Sequence, residues 1–165
     1  MIPDALVLLA GFVLAHAAWS VSDLPKSEVL VPLAIVEKGG QRQLLRFEAP
    51  TQEQAIAQGK TMLARRQADA DAWAFAREGV ITEKAARVDV LSVDAWAKGM
   101  PRPASFIQRF SPAAAGAFKL KGDALVIVNG KALEGPEAAR LSQRLHDGAA
   151  QHPKVGPLWP GWRVK

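Results

Sequence analysis

MIPDALVLLAGFVLAHAAWSVSD, residues 1–23, carries an almost unbroken apolar run from Ala5 to Trp19, and no lysine or arginine precedes Lys26. How this stretch is read decides both the fold and the compartment. A secretory signal opens with a basic segment, followed by about 7–15 apolar residues and a small-x-small cleavage site. The apolar length fits and Ala15-His16-Ala17 mimics the site, but the only charge ahead of the run is the acidic Asp4. A spanning helix needs about 20 mainly apolar residues. This run is shorter, His16 interrupts it, and Pro3-Asp4 offers no basic anchor.

The third reading is a helix that belongs to the fold. Asp4 is a suitable N-cap, and Ser20, Ser22 and Asp23 supply an exit before Leu24-Pro25. On a helical period Leu6, Leu9, Phe12, Val13, His16 and Trp19 form a bulky face, while Val7, Ala10, Gly11, Leu14 and Ala18 form a smaller one. A helix apolar on both faces lies at the centre of a core or is shared with a second subunit. This reading puts the chain in the cytoplasm; the alternative is export or membrane anchoring through residues 2–19.

At 165 residues the chain fits one domain and can bury about 70% of its unfolded surface, so no staple is required. Its parts are the apolar helix (1–23), an α+β body (24–150) and a Pro/Gly/Trp tail (151–165). Cysteine is absent, which excludes disulfides, thiolate metal sites and cysteine nucleophiles. Any metal would need histidine or carboxylate ligands, and with His16, His146 and His152 the only histidines, His16 far from the other two in sequence, no metal and no cofactor is expected. The Ala, Arg and Gln bias points to a GC-rich bacterial source.

Val29–Val36 reads as a strand that Pro32 demotes to an edge or bulge position, since proline gives no N–H to a ladder. After Gly39-Gly40, Gln41–Ala49 alternates and completes a hairpin, with Leu45, Phe47 and Ala49 on one face. Thr51 and Gln54 form a capping box that opens a helix to about Gln67, its inward stripe Ala55, Ile56, Gly59, Met62 and Leu63. Asp71–Glu78 and Arg87–Trp96 form a second hairpin across a loop at Gly79–Ala86. Ser105–Phe110, Phe118–Lys121 and Ala124–Val128 are further strands, with turns at Gly122-Asp123 and Asn129-Gly130. Gly135-Pro136 opens a last helix with Ala138, Leu141, Leu145 and Ala149 inward. KVGPLWPGWRVK follows as an extended tail without regular structure. The expected fold is α+β, a largely antiparallel sheet of five to seven short strands with helices on one face.

No G-x-S-x-G, P-loop or dinucleotide fingerprint occurs, and Asp89 and Asp94, five apart on one strand, point to opposite faces. The ligand or partner contact candidates are His16, Trp19, Trp159, Trp162 and Arg163. His16 is expected to be a buried neutral imidazole, hydrogen-bonded to backbone or water. Trp159 and Trp162 carry too much apolar area to stay in water, so they pin the tail to its own domain, to a neighbouring subunit or to a protein partner.

The net charge of +5 is concentrated in two acid-free stretches. Gly148–Lys165 holds Lys154, Arg163 and Lys165; Ala95–Gly122 holds Lys98, Arg102, Arg109, Lys119 and Lys121, interleaved with Phe106, Phe110 and Phe118. The second stretch pairs phosphate contacts with stacking rings in a nucleic-acid reading. Against it, strand alternation sends Phe106 and Phe110 inward and Arg109 outward. The favoured function is a non-enzymatic binding or structural module that self-associates through the N-terminal helix or the tail. The alternative is a basic nucleic-acid-binding accessory protein, and the third reading is a small-molecule enzyme with a pocket no motif announces.

Overall fold

Pro3, held extended, starts the first helix, and its carbonyl accepts from Leu6 N at 3.0 Å and Val7 N at 3.2 Å. The computed structural model describes residues 2–25 and 28–164; Lys26 and Lys165 lie outside them. Helix α1 (Asp4–Val21) therefore has Pro3, not Asp4, at its N-cap. Asp4 is the first helical residue, and its carboxylate turns to Arg140 Nη1 at 2.8 Å and Arg144 Nε at 3.8 Å. An anion in the first turn favours the helix through the macrodipole all the same. At the exit the hydroxyls of Ser20 and Ser22 donate to the carbonyls of His16 and Trp19, both at 2.9 Å.

What covers the second face of α1 is another part of the same chain. Helix α3 (Gly135–Ala150) lies against it so closely that the backbones touch. A Cβ on Gly11 would land on the carbonyl oxygen of Leu145, and one on Gly148 on that of Leu8. The other face of α1 rests on the small residues Ala72, Ala74 and Ala76 and on Leu91, Val93 and Ala95 of the sheet. Eleven of the eighteen α1 residues are buried in this way. Among the described residues α1 is the one helix long and apolar enough to cross a membrane, and most of it is buried within the fold.

The fold is α+β in class, as expected. Its strands are β1 (Leu33–Lys38), β2 (Gln41–Arg46), β3 (Ala72–Glu83), β4 (Ala86–Ala97), β5 (Ala104–Ser111), β6 (Lys119–Val128) and β7 (Lys131–Ala132). They run in the order β2-β1-β3-β4-β5-β6-β7 with antiparallel neighbours throughout. Pro32 stands just before β1 rather than within it, so β1 can occupy an interior position while β2 takes the edge.

Helix α2 (Gln52–Arg66) is capped by Thr51, whose hydroxyl accepts from Gln54 N at 3.1 Å. It packs on the face of the sheet opposite α1 and α3, so the helices do not share one face. Its partners are Ala34, Val36, Phe47, Trp73, Phe75 and Trp96, a second core separate from the one under α1. The alternation of β3 explains this: the alanines face α1, and the bulky Trp73 and Phe75 face α2. Gly59 allows the approach, since a Cβ there would lie 2.8 Å from the Phe75 ring.

Two expected breaks are absent. The residues read as a loop at Gly79–Ala86 continue the ladder to Glu83↔Ala86, and only Lys84-Ala85, both at positive φ, make the turn. At Gly122-Asp123 there is no turn either; β6 runs through with a bulge opposite Gln108. The buried Gln108 amide donates to the carbonyls of Arg109, Lys121 and Gly122 at 3.0–3.2 Å, giving the irregular carbonyls a donor. The tail is also ordered: α4 (Trp159–Trp162) is followed by β8 (Arg163–Val164), which pairs parallel with β6.

Candidate functional site

Where α1 ends, the long β3–β4 hairpin projects past it, and the chain after β5 turns back over the gap through a short 3-10 turn at Ala113–Ala115. The result is a cleft of about 420 Å³. Val21, Leu24, Phe110, Pro112 and Ala114 give it apolar walls, and Glu28, Glu78 and Asp89 bring three carboxylates to it. Among the described residues none of the three forms an ion pair, although Glu37, Glu83, Asp94 and Asp4 each pair with an arginine. Glu78 is half-buried; its Oε1 accepts from Leu30 N at 3.2 Å. Burial, aided by the neighbouring charge of Asp89, pushes its carboxyl above the ordinary range. Around the corner Gln52 ties the same strand to α2 by donating to the Glu78 carbonyl at 3.2 Å.

These acids do not stand out in the sequence, though a signal is present. The inward row Ala72-Ala74-Ala76 has Glu78 as its next member, and the row Ala95-Val93-Leu91 has Asp89 as its next. Two acids at core parity, just beyond the reach of the helix, mark a polar mouth on an apolar interior. Asp94 has the other parity, as expected, and accepts from Arg77 and Ser105, each at 2.7 Å, on the α2 face.

His16 and Trp19 lie elsewhere, on the outer side of α1. Nδ1 of His16 is 3.1 Å from Nε2 of His152, a residue 136 positions away. The hydrogen bonds assign the tautomers. His152 Nδ1 accepts from the backbone N–H of Lys154 and Val155, at 3.2 Å each, so its proton sits on Nε2 and is donated to His16. The partner of the neutral His16 is thus a second histidine, not backbone or water. Phe12 stacks on His152 at 4.9 Å, and Lys154 lies 5.0 Å above Trp19.

Trp159 and Trp162 close the far side of α3. Trp159 is 2% exposed, and its indole N–H donates to His146 Nδ1 at 3.1 Å. Trp162 packs edge-on to Phe118 at 4.9 Å. Arg163 reaches Asp123 at 3.6 Å. The structure thus separates the five contact candidates into a pair on α1 and a trio on the strapped tail.

The basic candidates do not form a stacking platform. Phe106, Phe110 and Phe118 are all buried. Arg109 is held by both oxygens of Glu83, and Lys119 Nζ donates to the Gly161 carbonyl at 3.0 Å. Lys98, Arg102 and Lys121 are exposed and lie in separate segments. Among the described residues no three histidine or carboxylate side chains, those of the cleft included, lie close enough together to hold a metal ion. No family model, curated protein or solved structure matches this chain.

Proposed function

We propose that the protein is a non-enzymatic binding module whose ligand is a small organic cation, an amine or guanidine with a short apolar body, held in the cleft at Glu78 and Asp89. The observation that carries this reading is the cleft itself. Three carboxylates converge on an apolar-walled space without a cation from the described residues to neutralise them. A pocket of a few hundred cubic ångströms with few, convergent polar groups is the usual form of a small-ligand site. Like charges held together in a partly desolvated mouth oppose one another, and a bound cation removes that opposition.

The proposal sets a sign for pH. A cation favours ionised Glu78, whose carboxyl is raised in the free protein, so affinity increases as pH rises through the Glu78 titration. Titration calorimetry with an alkyl diamine and with a guanidine, against a carboxylate of the same length, is the direct test. Saturable binding of the cations alone, weakened at least tenfold in Glu78→Gln/Asp89→Asn, is expected. Equal heats in the double variant, or none at millimolar ligand, overturn the reading. Turnover of a bound amine would instead make the site an enzyme's.

Self-association is a second reading, favoured by a different surface. Helix α2 covers β1 and β3 but leaves the same face of β4, β5 and β6, where Val88, Ile107, Leu125 and Ile127 are only half-buried and belong to neither core. Two ion pairs on this face are satisfied within the chain, Arg77 with Asp94 and Arg109 with Glu83, while the exposed Lys121 stands in register with Arg109 at its border. Light scattering is expected to give a dimer that Ile107→Lys converts to a monomer of unchanged helicity. A monomeric wild type at high protein concentration removes this reading.

A further inference from the structure

We propose that residues 152–164 are a strap released by acid, with the chain's three histidines as its latch. In each ring Nδ1 is the free acceptor, and in each it is already occupied by a donor that the strap fixes in place. His146 Nδ1 takes the Trp159 indole N–H. His152 Nδ1 takes the N–H groups of Lys154 and Val155, and His16 Nδ1 takes the N–H of His152. A second proton has only Nδ1 to bind. Once there it faces another N–H, and the contact turns from a hydrogen bond into a repulsion between donors. Relief requires that Trp159 leave His146, or that the turn at Lys154 and Val155 leave His152.

The surrounding charges work in the same direction. Arg46 and His152 face His16, Lys154 faces His152, and Arg163 faces His146; Asp123 and Asp147 oppose this at His146 without outweighing burial. All three imidazoles are held below the ordinary histidine range, chiefly by burial, and His146 is lowered to about 4. The remaining ties of the strap are few. Among the described residues they are a two-residue ladder to β6, the Lys119–Gly161 bond, an exposed Arg163–Asp123 pair, the contacts of Phe12 with His152 and of Lys154 with Trp19, and the apolar seats of Val155, Trp159 and Trp162.

A group lowered on folding contributes nothing above its unfolded value and weakens the folded arrangement as pH falls from there toward its folded value. For His146 that window runs from 6.5 to about 4, and at pH 5 protonation favours the open strap by about 30-fold relative to neutral pH.

Hydrogen exchange on the full chain, corrected for intrinsic rates, tests this between pH 7.5 and 5. The expected result is a loss of protection of about 30-fold at residues 155–164 while α1, β3 and β4 stay protected. In His16→Gln/His146→Gln/His152→Gln, whose latch positions cannot be protonated, the strap's exchange becomes independent of pH. Should the strap and the central strands lose protection together in the wild type, or the strap hold its protection at pH 5, the latch is refuted. So it is if the variant folds and keeps the same pH response.

Discussion

Gly11→Ala and Gly148→Ala are each expected to lower the melting temperature by about 6–12 °C, and the double variant by more. The two glycines let α1 and α3 approach until only backbone separates them, with the Gly11 site against Leu145 and the Gly148 site against Leu8. A methyl group there meets a carbonyl oxygen that cannot rotate away, so a whole helix must shift. Alanine gains about 1 kcal/mol in helix propensity. Separating two close-packed helices over an apolar core costs more, and we expect a net loss of about 3 kcal/mol. In a domain of this size each kcal/mol moves the melting point by about 2–4 °C. Gly161→Ala is the control, because nothing lies within 4 Å of its added methyl. Calorimetric melting of the set decides the matter. A double variant that melts within about 2 °C of the wild type would show that the helices are not in backbone contact.

The second large effect is expected at Trp159. Its side chain is buried, and it supplies the donor to a buried imidazole nitrogen. Trp159→Ala creates a cavity of aromatic size and leaves His146 Nδ1 without its partner. Losses of about 3–5 kcal/mol are usual for such a change, which at 2–4 °C per kcal/mol means about 6–20 °C. Removal of the chain after Lys154 should cost at least as much, because Val155 and Trp162 go with it. Trp162→Ala alone should cost less, since that ring is only half-buried against Phe118. A chain ending at Lys154 that melts like the full-length protein would make the tail dispensable to the fold.

Local chemistry carried by neighbouring residues is legible in the sequence. The Thr51 cap, the Asn129-Gly130 turn, the Gly135-Pro136 start of α3 and the Gly39-Gly40 hairpin all depend on groups within a few positions of one another. Gly59 is legible too, because a glycine in an amphipathic stripe has few explanations besides close approach. The features that mislead share a cause. Gly79 and Gly122 punctuate a chain in isolation, but a long strand paired along its length tolerates a glycine, and a bulge absorbs one at Gly122. Pro32 has the look of an edge marker because nothing in sequence says where a strand begins.

The cleft is harder to see for a reason of the same kind. Glu78 and Asp89 are on the inward parity of their strands, but parity becomes a face only when register is known. Glu28 and the 3-10 turn join them from loops whose course no periodicity reports.

By itself, then, the sequence determined that residues 4–21 form a helix too apolar for a surface, that the body is an antiparallel sheet with a helix capped by Thr51, and that no thiolate chemistry is available. Each follows from side-chain type and short-range spacing. Only the tertiary structure decided that α3 covers the second face of α1 and that α2 takes the opposite side of the sheet. It also decided that His16 meets His152 and that three carboxylates share one cleft. These are contacts between residues tens to more than a hundred positions apart, and they are set by which shapes and parities match across the core.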